Sequence, residues 1–287
     1  MRFFHSTCFA LTLLLSACTE PHSEPPPPPA VAAPVTPQAL PLPPIPPTPT
    51  IAPKVAPKVS PAPPPTIASP KHPLKVRTAT LNGTKFTAVT FDRRDYYLKV
   101  IDQKGGPGSQ FDSAQAAGSG GLAAINGGFF NPDGSPLGLV ISGGESRGAF
   151  NSASFLGTSI LDGQNVTLST RTNYQRSNEL LQTGPRLVWG EESLTGLSSY
   201  NERPRSLMIW DGKNHFGLVH ANTATLIGLS NNLKSQPLSG FDIKYAVNLD
   251  GGTSCDLWVS GSVSGGGFNK NSFFRKKARN YLALHKR

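Results

Sequence analysis

No apolar run in these 287 residues reaches the length that a permanent bilayer span requires, and the one at residues 9–15 stops well short of it. Cysteine is scarce at three, and acidic residues are outnumbered, 17 Asp and Glu against 27 Lys and Arg. Only Cys255 falls in the part of the sequence that reads as folded. A lone thiol closes no internal disulfide, so burial has to hold that part together. None of the six histidines is placed in sequence to pair with Cys255, which reads as a small buried hydrophobe. A Ser hydrolase would need a Gly-x-Ser-x-Gly elbow, and neither Gly118-Ser119-Gly120 nor Gly143-Gly144 supplies one. Internal repeats and nucleic-acid-binding modules are missing too, which argues against a nucleic-acid partner. No cofactor fingerprint is present. Asn131-Pro132-Asp133-Gly134 hints at a calcium loop, but nothing continues the ligand spacing, so it reads as a turn and no metal is expected.

What is there begins with an export signal. Arg2 and His5 open it, residues 9–15 form its apolar stretch, and Ser16-Ala17 its small-residue exit. Leu15-Ser16-Ala17-Cys18 resembles the bacterial lipobox, whose cysteine is lipidated and becomes the first mature residue; an ordinary cleaved signal is the alternative. The resemblance implies residues 1–17 as signal peptide, Cys18 as lipid anchor, and, with Thr19 following, an outer-membrane position facing the periplasm. Residues 18–73 read as a tether: 22 of the 28 prolines lie between 21 and 73. Such a run favours extended polyproline II, and at about 3.1 Å per residue it reaches on the order of 160 Å.

Residues 74–287 then form one medium domain with room for its own core. It carries 23 cations against 15 acids, and seven of the cations occupy the last eighteen residues without an acid among them. That terminal run reads as a solvated face suited to an anionic partner, such as a phosphate-bearing glycan or lipid headgroups. The pattern carries no signal of oligomeric state.

Strand signals dominate the domain. Residues 76–81 and 85–91 alternate around Asn82-Gly83, a strong hairpin signal. Further strands are expected at 96–101, 122–125, 136–142, 154–161, 165–169, 187–189, 206–210 and 217–220, with a glycine-rich loop at 105–108. Short helices are expected at 112–117, capped by Asp112 or Ser113, and at 225–233. The fold class is α+β, mostly antiparallel β-sheet with a few short helices and ligand loops gathered at one end of the sheet.

Four loop clusters carry polar chemistry. Asn248-Leu249-Asp250-Gly251-Gly252-Thr253-Ser254 delivers one carboxylate from an apolar run into a glycine turn, with backbone amides and hydroxyls beside it. It suits a polar anionic ligand, or else a hairpin in which Asp250 caps its own turn. Asn126-Gly127-Gly128-Phe129-Phe130 offers an amide side chain, two open N–H groups and an aromatic pair, or simply two core phenylalanines after a turn. Thr183-Gly184-Pro185-Arg186 suits a phosphate as well as it suits a plain loop. Arg205, at the mouth of a strand after Arg203-Pro204, is a bidentate phosphate grip or a surface cation.

In order and rough spacing, these clusters and the closing Arg279-Asn280-Tyr281-Leu282-Ala283 resemble the phosphodiester glycosidase family over nearly all of the chain from residue 74. The resemblance implies a hydrolase of the N-acetylglucosamine-1-phosphodiester glycosidase type, acting on the glycosidic bond of a sugar-1-phosphodiester in envelope or exopolysaccharide material. A glycan-binding or scaffold lipoprotein of the same fold, without catalysis, is the alternative. The phosphodiester leaving group is already a stable anion, so neutralising it matters more than protonating it. On that implication Asp250 is the carboxylate at the anomeric centre and Arg205 the phosphate clamp. Asn126, Gly127, Gly128, Thr183, Gly184, Arg186, Asn248, Gly251, Gly252 and Thr253 line the substrate. Asp133 and Glu202 are the nearest sources of a second carboxylate. After the arginine, relatives usually carry Thr-Ala and a glycine, where this chain has Ser206-Leu207-Met208.

Overall fold

The computed structural model describes residues 71–103, 111–153, 156 and 159–287, all within the compact unit Pro64–Arg287. The expected signal and lipobox, the tether up to residue 70, the 105–108 loop and the start of the 154–161 strand lie outside the described residues.

In chain order the strands are β1 (Lys75–Leu81), β2 (Thr84–Asp92), β3 (Tyr96–Asp102), β4 (Ala123–Asn126), β5 (Val140–Ser142), β6 (Glu145–Ser146), β7 (Ser159–Asp162) and β8 (Thr167–Ser169). They continue as β9 (Leu180–Thr183), β10 (Arg186–Trp189), β11 (Arg203–Trp210), β12 (His215–Ala224), β13 (Tyr245–Asn248), β14 (Asp256–Val259), β15 (Phe268–Asn271) and β16 (Asn280–Lys286). Among the described residues two α-helices interrupt them, α1 (Ser113–Ala117) and α2 (Leu226–Ser235). The strands pair into three sheets, ordered β1-β2-β12-β11-β13-β10, β15-β14-β4-β16-β3 and β6-β5-β9-β7-β8, with antiparallel ladders throughout. The fold is therefore α+β and mostly antiparallel, as its alternating sequence implies.

The six-stranded sheet is buried on both faces, and the period of two sorts its side chains between two cores. Val89, Met208, Phe216 and Val247 face the core shared with the other two sheets. Their neighbours Ala88, Leu207, Val219 and Ala246 face the core closed by Leu229 and Leu233 of α2. Helix α1 starts where expected, with Asp112 and Gln115 forming a reciprocal capping box, and Thr225 caps α2.

Two expectations change. The terminal basic run is not one solvated face, because β16 threads between β4 and β3 and buries Asn280 through His285. A continuous apolar run explains the difference: Tyr281, Leu282, Ala283 and Leu284 suit a strand covered on both faces and outweigh the cations at its two ends. The apolar runs either side of Asp250 are not a hairpin either, since β13 belongs to the six-stranded sheet and β14 to the five-stranded one. Asp250 thus lies at a crossover between sheets.

The first hairpin turns through Asn82 at φ 45° and Gly83 at φ 81°, the paired left-handed geometry of a type I′ turn. Gly83→Ala is expected to cost about 1–2 kcal/mol in urea unfolding, since a Cβ at this φ is strained even though open space surrounds it.

Candidate active site

Strand polarity gathers the motif loops. Leu207 pairs with Asn248 and Arg186 with Val247, which brings the start of β11, the Gly184-Pro185 turn and the end of β13 to one end of the sheet. The Asp250 N–H then donates to the Gly127 carbonyl at 2.8 Å, tying this end to the loop that follows β4.

Asn126 stands at the centre, fully buried. Its Nδ2 donates to the Asp250 carbonyl at 2.7 Å, and its Oδ1 accepts from Ser206 Oγ at 2.5 Å and from the Asp256 N–H at 3.1 Å. Its amide, expected to line the substrate, is instead spent on joining β4, β11 and β14 around the Asp250 turn. The amides of Gly127 and Gly128, expected to stay open for a ligand, donate to the Asn280 carbonyl and to Asn280 Oδ1. Asn248 and Thr183 are buried as well. The Thr183 hydroxyl donates to the Asn248 carbonyl at 2.8 Å, and Asn248 Nδ2 to the Gly184 carbonyl at 3.1 Å. These residues frame the turn from behind. Arg186 is engaged elsewhere, paired with Glu192 at 2.9 Å and lying over the Trp189 ring.

Asp250 itself is half-buried. Burial raises its pKa above the usual 3.8, against the bonds it accepts from the Ser254 hydroxyl and the Gly251 N–H and the fields of Arg203 and Lys276. The two glycines differ in their reasons. Gly252 takes φ +66°, whereas Gly251 has ordinary extended backbone and is small because Pro204 O would lie 3.2 Å from a Cβ there and Arg205 Cδ 3.4 Å. Thr253 is exposed at the rim.

Arg205 lies beside this turn but is only 4% exposed, and it donates from Nε to the Ala224 carbonyl and from Nη2 to the Asn201 carbonyl. Burial, with the like charge of Arg203, brings its pKa down to about 10, so it stays charged at neutral pH. It is enclosed beside the turn, with Nε and Nη2 held by backbone carbonyls and not open to the surface. The exposed cations at the turn are Arg203, whose side chain reaches over Gly252, and Lys276, whose N–H donates to the Thr253 carbonyl and whose Nζ sits 5.7 Å over the Phe130 ring. A register shift between Arg203 and Arg205, at Pro204, sends the one outward and the other inward.

Cys255 is fully buried and its thiol is pushed up to about 12, chiefly by burial. Asp133 accepts from Ser135 in an exposed turn closed by Gly134 N–H to Asn131 O, and Glu202 is exposed. Asp256 joins the Asp250 network only through its backbone N–H, and its carboxylate Oδ2 accepts from the Ser113 N–H at the start of α1. Among the described residues no three His, Cys, Asp or Glu side chains gather as metal ligands.

Sequence reasoning passed over Arg203, Ser206, Lys276 and Asn280. Arg203 and Asn280 stood within quoted motifs, and the acid-free terminal run that includes Lys276 signalled an anionic partner. Ser206 directly follows the Pro204-Arg205 motif, but its role comes from its place opposite Asn126.

The family profile described as phosphodiester glycosidase matches residues 119–285. No curated protein matches the chain. Among solved structures, that of a hypothetical protein from Synechocystis aligns with a TM-score of 0.52 at 15% identity, covering 75% of this chain and 62% of that one. This likeness shows a shared fold, and the chain spans less than two thirds of that protein's length. The catalytic domain of zebrafish N-acetylglucosamine-1-phosphodiester α-N-acetylglucosaminidase, auto-inhibited by its pro-peptide, aligns at 0.49 and 16% identity over 77% of this chain and 85% of that domain. A putative exported protein from Burkholderia pseudomallei aligns at 0.45 and 12% identity, covering 70% and 74%.

Asn280→Ala would leave the buried Gly128 N–H without its acceptor and is expected to cost about 1–3 kcal/mol in denaturant unfolding. Gly127→Ala drives a methyl group into the Asn280 side chain and should disturb the same contact. Parent-like melting by either variant would refute this role for Asn280.

Proposed function

This chain belongs to the phosphodiester glycosidase family, and on that premise we propose that it hydrolyses the glycosidic bond of a sugar-1-phosphodiester in cell-envelope or exopolysaccharide material. The observation that carries the reading is Asp250 at the sheet crossover, with Arg203 and Lys276 exposed beside it and Arg205 buried behind it. Cations of this kind hold a phosphodiester and stabilise it as it leaves, so the anomeric carbon can develop positive charge opposite a carboxylate. Asp250, its pKa raised by burial, is suited to take a proton from the attacking water. The C1–O bond then breaks, the water oxygen joins C1, and the phosphate departs as a monoester without needing a proton. Asn126 and Asn280 are positioning residues, because each acts through the backbone around the turn.

The lipobox-like Leu15-Ser16-Ala17-Cys18 supports a second part of the proposal, export and a lipid anchor on Cys18 in the outer membrane facing the periplasm, with residues 18–73 as spacer. Labelling with palmitate that persists in a Cys18→Ala chain would contradict it.

The deciding experiment incubates the protein with UDP-N-acetylglucosamine and simple sugar-1-phosphate diesters. Free sugar is the expected product; sugar phosphate would mean that the P–O bond breaks, and absence of turnover with retained binding would favour a glycan-binding module. Asp250→Asn should lower kcat by about 10³-fold or more while the fold stays at least as stable at neutral pH, since the buried charge is gone. The sign of the pH dependence follows from the raised pKa. Activity needs the carboxylate, so kcat/KM should fall as pH drops through a midpoint above 3.8. Arg203→Ala is expected to raise KM for phosphodiesters about tenfold or more.

A further inference from the structure

Phe273 is 94% exposed and Phe274 77%, with ring centroids 5.0 Å apart at 88°. Single exposed apolar residues are ordinary on a protein surface, but two adjacent aromatic rings this bare are not. Lys270 precedes the pair and Arg275, Lys276 and Lys277 follow it, and no acidic residue occurs in the sequence after Asp256. Arg275 pairs with Asp112 at 2.8 Å, and the flanking sequence still carries Lys270, Lys276 and Lys277 with no acid among them.

The pair does not sit on a loose loop. On one side the Ser272 N–H donates to the Cys255 carbonyl at 3.1 Å, and on the other the Lys276 N–H donates to the Thr253 carbonyl at 2.8 Å. Residues 273–275 therefore bulge outward between two pins set in the Asp250 turn. We propose that this tip is an interfacial anchor: Phe273 and Phe274 insert into the headgroup region of an anionic bilayer, the flanking lysines bind its phosphates, and the Asp250 face meets the membrane surface. Aromatic rings flanked in sequence by cations match such a surface in both polarity and charge, and lysines near it add attraction that falls off within a Debye length. The bulge needs no acyl chain on Cys18 to make this contact.

The test uses the full chain carrying Cys18→Ser, so that no lipid on that residue contributes, and the same chain with Phe273→Ser and Phe274→Ser. Both are sedimented with vesicles of phosphatidylglycerol and phosphatidylcholine in equal parts, and with phosphatidylcholine alone. The parent should partition onto the anionic vesicles, the double variant about tenfold less or weaker still, and high salt should weaken the parent's binding. Turnover of a soluble sugar phosphodiester should be the same in both chains, and since vesicle binding requires no turnover, failure of the catalytic reading would leave this result intact. Equal sedimentation of the two chains overturns the proposal. So does binding that follows charge alone, equal on soluble polyphosphate and unaffected by the Phe pair. Loss of soluble-substrate turnover in the double variant would overturn it as well, making the rings a substrate platform.

Discussion

The side chain of Asn126 is the constraint on which the site rests. A buried amide must satisfy its donors and acceptors inside the protein, because leaving one bare costs more than a normal hydrogen bond contributes. Asn126 does so with a carbonyl from the Asp250 turn, a hydroxyl from β11 and an N–H from β14. These partners come from strands of two different sheets, so the amide fixes the gap between the sheets at the place where the chain crosses it. Asn280 repeats the device one loop away, holding the Gly127 and Gly128 N–H groups. Several polar motif residues are thus spent on internal bonds, and the chemistry is left to the few groups that reach the rim.

Those groups are arranged in depth. Behind the Asp250 turn Arg205 is enclosed and bonded to carbonyls, and in front Arg203 and Lys276 remain open. Burial raises the Asp250 pKa while the surrounding cations oppose the rise, so a carboxylate can stay ionised and still hold a proton more readily than a solvated aspartate would. Such a group is costly to the fold, and strain or desolvation of this kind is commonly found where a protein does chemistry. The bulge bearing Phe273 and Phe274 is pinned to the same turn, which couples the orientation of the site to whatever surface that bulge meets.

Much of the fold was legible in one dimension. The Asn82-Gly83 hairpin, the strands expected at 206–210 and 217–220 and the two short helices follow from local chemistry, and each forms with ends displaced by only a few residues. Strands β9 and β16 were not legible, because a strand inserted between non-neighbouring segments owes its existence to its partners, and β15, an edge strand beside β14, is mostly polar and exposed and so carries little apolar pattern. Legibility of the site divided along the same line. Asp250 announced itself as a lone acid before two glycines, and the motif order was plain. Whether Asn126 or Arg205 would face a ligand was hidden, since that depends on which groups lie opposite.

Residue types and their spacing determined by themselves that this is a β-rich domain with polar loops delivered by apolar runs, since alternation, turn residues and caps act within a few positions. Only tertiary structure decided that β13 and β14 part into different sheets, that Arg203 and not Arg205 reaches the surface, and that the glycine amides are consumed internally. These outcomes depend on burial and on hydrogen-bond partners more than a hundred residues away, such as Asn126 for Asp250 and Asn280 for Gly128. Sequence proximity carries no information about desolvation, and desolvation is what divides these polar residues into framework and chemistry.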